Sequence, residues 1–203
     1  MTQTPAGPTE PDVVDILTRD HQEMVELIAR IEGAADSSTR RELADTVIAE
    51  VMRHAVAEEM YVYPVVEKHV PDGKEEVEHD KGEHAEIVDL MKELERIDAA
   101  DARFIEVVRD LEAKLRHHAN DEETDQFPKL RAHIPYDELI DLGKKVENAK
   151  KVAPTRPHPH APHSELFHKT VGAGVGMVDG LRDKLTGRRA GPGARASKAR
   201  ARG

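Results

Sequence analysis

Asp20-His21-Gln22-Glu23-Met24-Val25-Glu26-Leu27-Ile28 and Glu83-His84-Ala85-Glu86-Ile87-Val88-Asp89-Leu90-Met91 are two versions of one segment, 63 residues apart. A second pair follows the same rule. His54-Ala55-Val56-Ala57-Glu58-Glu59 returns as His118-Ala119-Asn120-Asp121-Glu122-Glu123, and the match resumes at Tyr63-Pro64 and Phe127-Pro128, an offset of 64. Self-similarity at a fixed offset marks a duplicated structural unit.

Each copy sits in helical periodicity. Apolar residues three and four apart run through Val14, Leu17, Met24, Ile28 and Ile31, and through Leu43, Val47 and Val51. A third stripe holds Val77, Ile87, Met91 and Leu94, and a fourth holds Phe104, Val108, Leu111 and Leu115. The spacing predicts helices over about 12–32, from Thr39 towards Pro64, from near Asp72, and from near Asp101. The Thr39-Arg40-Arg41-Glu42 stretch is the expected capping box of the second. A shorter fifth helix is expected over Tyr136–Lys151. Short connections favour antiparallel neighbours, so the predicted fold is an all-α, up-down four-helix bundle with a short fifth helix.

In every one of the four stripes a metal-competent residue stands where an apolar one belongs: His21; His54 and Glu58; His84; His118 and Glu122. Buried imidazole and carboxylate are costly unless paired or ligated. A single such residue has a bland explanation, but four helices with the same violation need a common cause. Residues i and i+4 share a helical face, so His54 with Glu58, and His118 with Glu122, each aim a nitrogen and a carboxylate at one place. The pseudo-two-fold relation predicts two equivalent metal positions, with Glu58 and Glu122 suited to bridge them. Imidazole and carboxylate without thiolate suit iron, manganese or zinc.

Two further residues have open roles. Tyr61, one turn past Glu58, is expected as a phenolate ligand, a hydrogen-bond donor to a bound species, or simply a packed ring. Asp80 is either a further donor or a surface carboxylate. His69, His79, His117 and His133 are expected on the surface.

The 203 residues include 30 Lys+Arg, 40 Asp+Glu and 12 His, but no Cys and no Trp. Lack of Cys excludes disulfides, thiolate metal sites, iron–sulfur clusters and Cys nucleophiles. No apolar run is long enough to span a membrane, and no secretory leader is evident, so a cytoplasmic protein is expected. Charge divides the chain. Residues 1–150 carry 19 Lys+Arg and 37 Asp+Glu, a net of −18, whereas residues 151–203 carry a net of +8. Pro154, Pro157, Pro159 and Pro162 mark a linker, so the expected organisation is a disordered 1–11, a bundle over 12–151, and a basic, largely disordered tail over 152–203. A glycine-interrupted helix over 164–186 is expected inside that tail. Its His158, His160 and His163 fit a loose linker. With no aromatic interleaving, the basic excess is not expected to bind nucleic acid.

The Asp-His/Glu-His pair, the doubled His-x-x-x-Glu-Glu and the closing Tyr/Phe-Pro resemble the hemerythrin-like family, the HHE cation-binding domains. The resemblance spans about residues 12–150. It implies a bundle with a non-haem centre of two Fe ions, bridged by two carboxylates and an oxo or hydroxo group, with His21, His54, Glu58, His84, His118 and Glu122 as ligands. The chain departs from the oxygen-carrying members. Asp80 stands where they have a second third-helix His, and His118-x-x-x-Glu122 replaces a His-x-x-x-x-Asp. An extra anionic donor would favour Fe(III) over simple oxygen storage. The expected function is binding of oxygen, nitric oxide or iron for sensing, storage or delivery. The alternative is an enzyme that decomposes peroxide or reduces a small oxidant with the help of a redox partner.

Overall fold

Asp12 begins the fold. Its side chain accepts from the Asp15 backbone N–H while the Asp15 side chain accepts from the Asp12 N–H, a reciprocal cap that starts helix α1, Val13–Glu32. In the computed structural model, which describes residues 10–155, α1 ends at Gly33. Helix α2 (Ser37–Ala57) starts two residues before the expected Thr39. Its cap is Asp36, which accepts from both the backbone N–H and the hydroxyl of Thr39. The predicted box at Thr39–Glu42 therefore does not form. Asp36 already offers the oxygen that the N-terminal amides need, and Thr39 becomes its donor.

A second difference matters more for the site. α2 does not stop at Pro64. It passes through one widened π turn, Glu58–Val62, and continues as α3, Tyr63–His69. The Tyr63 N–H bonds the Glu58 carbonyl, five residues back. The widened turn restarts the helix, so Pro64 falls in a first turn, where its missing N–H is not needed. After α4 (Gly73–Arg96), the pattern repeats. α5 (Ala102–Asp121) leads through a π turn at Glu122–Gln126 into α6, Phe127–His133, with Phe127 bonded to the Glu122 carbonyl and Pro128 in the first turn. Helix α7 (Tyr136–Lys150) lies against α1 and α2. Among the described residues there is no strand, and the architecture is the expected antiparallel four-helix bundle plus a fifth helix. The expected tail helix and nearly all of the basic tail lie outside the described residues.

The core is divided into two apolar clusters. One holds Met24, Ile28, Val47, Val51, Ile87, Met91, Phe104, Leu111 and Leu115. The other holds Leu17, Val62, Tyr63, Val66, Val77, Phe127, Leu130, Leu139 and Val146. Between them lies a buried layer of imidazoles and carboxylates. Each apolar cluster is large enough to anchor its end of the bundle, which lets the middle of the core be polar.

Candidate metal centre

His21, His54, Glu58, His84, His118 and Glu122 all lie in that layer, each buried. The imidazoles meet in pairs. His21 Nε2 faces His54 Nε2 at 3.1 Å, and His84 Nε2 faces His118 Nε2 at 3.1 Å. One pair joins α1 to α2, the other α4 to α5. Each glutamate spans both pairs. Glu58 Oε2 lies 3.2 Å from His54 Nε2 and 3.5 Å from His84 Nε2. The Glu122 oxygens lie 3.3 Å from His21 Nε2 and 3.7 Å from His118 Nε2. All four carboxylate oxygens of Glu58 and Glu122 are buried without a hydrogen bond.

Unsatisfied buried carboxylates are expensive, and a native site that keeps two of them needs a reason. A cation supplies one. Ligand nitrogens bonded at about 2.0–2.1 Å and at right angles to each other stand ~3 Å apart, as these do. The donor set His21, His54, Glu58 and Glu122 gathers within 4.8 Å, and so does the set Glu58, His84 and His118. Their shared member is Glu58.

Behind the inner nitrogens stands a ring of carboxylates that sequence reasoning missed. His21 Nδ1 donates to Glu123 Oε1 at 2.8 Å, His118 Nδ1 to Glu83 Oε2 at 2.8 Å and His84 Nδ1 to Glu59 Oε1 at 3.2 Å. Asp20 Oδ2 lies 3.5 Å from His54 Nδ1. The pattern is cyclic: α1 supports the histidine of α2, the first π turn that of α4, α4 that of α5, and the second π turn that of α1. A carboxylate that takes the Nδ1 proton fixes the tautomer and leaves Nε2 free to ligate. The signal was in the repeat, where an acid precedes His21 and His84 and another follows Glu58 and Glu122.

Without a cation, the carboxylates of the layer favour protons on the imidazoles. Burial opposes charge on His54, but Glu58 and Asp20 outweigh it and raise the imidazole to about 10. Burial likewise opposes charge on His84, and Glu58 with Glu59 raise it to about 10. Burial works against the Glu58 carboxylate, yet His54 and His84 hold it well below its ordinary range. A metal bound here would displace protons from the imidazoles.

The two residues with open roles separate. Asp80 is buried near the site, accepts from Gln126 Nε2 at 2.6 Å, and gathers with Glu83 and His118. Burial and then the Glu122 charge raise its carboxyl to about 7. Tyr61 is not among the gathered groups. It packs, partly buried, beside the second apolar cluster. Tyr63 is the phenol at the centre, with its hydroxyl 3.3 Å from His84 Nε2 and its ring stacked on that imidazole at 5.7 Å. The expectation for Tyr61 assumed 3.6 residues per turn. The π turn inserts one extra residue and rotates everything beyond it. The two hairpins differ at this point, with Tyr63 in the first and Phe127 in the second. Phe127 stacks on His21 at 5.8 Å and offers no hydroxyl.

Opposite these rings the four imidazoles border an enclosed cavity of about 10 Å³, walled by Met24, Val51, Ile87 and Leu115. That is room for one water-sized molecule in apolar surroundings.

Residues 12–130 match the family described as Hemerythrin HHE cation binding domain. An uncharacterized hemerythrin-like protein of Schizosaccharomyces pombe is 30% identical over 174 residues, 85% of this chain and 86% of its own length. A DNA nickase of Nostoc sp. is 23% identical over 164 residues, 81% of this chain but 44% of that protein. No solved structure shows a significant match. Among the described residues no helix is long and apolar enough to cross a membrane.

Proposed function

The chain belongs to the hemerythrin HHE cation-binding family, and from that premise we propose that its buried layer holds two iron ions and offers them to one small molecule: oxygen, nitric oxide or peroxide. The observation that carries this reading is the position of Glu58 and Glu122. Each faces one histidine of either hairpin, and all four of their oxygens are without hydrogen bonds. Glu58 and Glu122 would hold such a pair of ions between them, with His21 and His54 on one side and His84 and His118 on the other. Iron in such a donor set supplies redox change and affinity for diatomic ligands.

The protein's own residues supply the rest. The ring formed by Asp20, Glu59, Glu83 and Glu123 orients the four imidazoles. The apolar walls keep bulk water out and limit the ligand to a few atoms. The Tyr63 hydroxyl beside His84 favours a second reading, a peroxide-decomposing or oxidant-reducing enzyme, because it places a proton source at one half of the site alone. The Nostoc relative's name concerns DNA, but residues 1–150 here carry a net of −18, which repels a polyphosphate.

Elemental analysis of protein expressed in ample iron tests the proposal. About two irons per chain are expected, falling sharply in His54→Ala and in His118→Ala. Zinc at full occupancy with no iron in the parent, or full iron in either variant, would sink it.

A further inference from the structure

Outside the buried layer, the His-x-x-x-carboxylate spacing occurs twice more on facing helices. His79 and Glu83 are one turn apart on α4, and His117 and Asp121 are one turn apart on α5. The bundle brings all four together. His79 Nε2 lies 3.7 Å from Glu83 Oε1 and 4.0 Å from Asp121 Oδ2. His117 Nε2 lies 3.5 Å from the same Glu83 oxygen, and its Nδ1 lies 3.7 Å from Asp121 Oδ1. His79, Glu83 and Asp121 can present three donor atoms within 4.8 Å of one another.

We propose that His79, Glu83, His117 and Asp121 form a second cation site, on the outer face of α4 and α5, for a divalent transition metal of the zinc class. Two imidazoles and two carboxylates make a four-donor nitrogen and oxygen set, which zinc, nickel and copper favour over calcium or magnesium. Among the described residues, the basic groups that approach Glu83 or Asp121 within 4.0 Å are all histidines. No lysine or arginine occupies the place a cation would take. His117 stands just outside the three-donor set, but the histidine side chains are 60% and 58% exposed, so both rings can turn to bring one nitrogen each to an ion without disturbing the core. Glu83 is divided between two tasks. Its Oε2 accepts from His118 Nδ1, which leaves Oε1 for the surface ion. Asp121 Oδ1 also accepts from Asn120 Nδ2 at 3.3 Å, a contact that Oδ2 does not share.

The test is equilibrium dialysis of the full-length, iron-loaded protein against micromolar zinc chloride, with zinc and iron counted by elemental analysis. The parent should hold one more zinc per chain than the double variant His79→Ala/His117→Ala. Each single variant should bind that zinc at least ~10-fold more weakly. A variant of the tail histidines His158, His160, His163 and His168 should keep it. Equal zinc in parent and double variant would overturn the proposal. So would loss of the zinc in the tail variant alone, or zinc gained only as iron is lost. Because the readout is a difference of one zinc, it holds whether the interior contains iron or zinc.

Discussion

The four imidazoles are constrained from both sides: Nε2 towards the glutamates, Nδ1 towards the carboxylate ring, and for His84 and His21 an aromatic ring across one face. That confinement makes the difference between Tyr63 and Phe127 chemically meaningful. Both rings position an imidazole, but only Tyr63 adds a hydroxyl. In Tyr63→Phe the stack survives and the hydroxyl goes. Iron content should stay at the parent's level, while the rate of reaction with peroxide or nitric oxide shifts by roughly five-fold, the worth of one hydrogen bond of about 1 kcal/mol. Tyr61→Phe should change neither. Stopped-flow spectra of both variants decide it, and a Tyr61 effect without a Tyr63 effect would return the phenol's role to residue 61. All six ligand candidates were legible in the sequence, because a repeated polar residue in an apolar stripe is visible at a spacing of three and four. Tyr63 was not, because one extra residue in a turn leaves no mark on composition or on the stripe before it.

At the scale of elements, the π turns decide which residues beyond Glu58 and Glu122 reach the buried layer. On a regular helix Tyr61 would lie one turn past Glu58 on the inward face, whereas Tyr63 is the phenol that reaches His84. The widened turn opens with Glu58 between the histidine pairs and Glu59 on His84 Nδ1. Deleting Met60 restores regular periodicity without removing any polar group. Helix content by circular dichroism should persist, while metal affinity falls ~10–100-fold, as for loss of a supporting partner. Unchanged iron retention against a chelator would show that the bulge is incidental. The ends of α1 and α6 carry a separate load. Burial works against the Asp12 carboxylate, but Arg131, bonded to it twice at 2.9 Å, and the Asp15 and Val14 amides hold it below its ordinary value of 3.8. A depressed acid stabilises the fold above its unfolded value and loses that contribution as pH falls through the lower folded one. Asp12→Ala should therefore cost about 1–2 kcal/mol at neutral pH, in line with a lost helix cap. The gap between parent and variant melting temperatures should narrow below pH ~3.8. A gap independent of pH would assign the loss to packing. Neither Asp36 nor the Arg131 link was readable from sequence. Several residues near Thr39 are competent caps, and partners 119 residues apart share no local pattern.

For the molecule as a whole, the question is how far the folded body extends. Charge and proline pattern place its end at Lys151, but packing runs past that point. Helix α7 contributes Leu139, Leu142, Val146 and Ala149 to the cluster on one side of the polar layer. At the level of the layer, Lys150 Nζ donates to Asp20 Oδ2 at 2.5 Å, the carboxylate that faces His54. Beyond it, Ala153 joins the cluster on the other side, and Thr155 is buried. α7 and the residues after it thus cross the outside of the layer and fasten both halves of the core. A chain cut after Thr155 should retain its metal, since no candidate ligand of the interior lies beyond Glu122. A chain cut after Lys151 loses the buried Ala153 and Thr155, a cost of about 1–2 kcal/mol by buried area. It should melt lower than the chain cut after Thr155 by about 2–4 °C for each of those kcal/mol. Its iron should also exchange faster with a chelator, because Lys150 would then lie at a fraying end and hold Asp20 less firmly. If the two truncations melt together and exchange iron alike, the segment after Lys151 only rests on the bundle, and the boundary belongs where the charge pattern alone would put it.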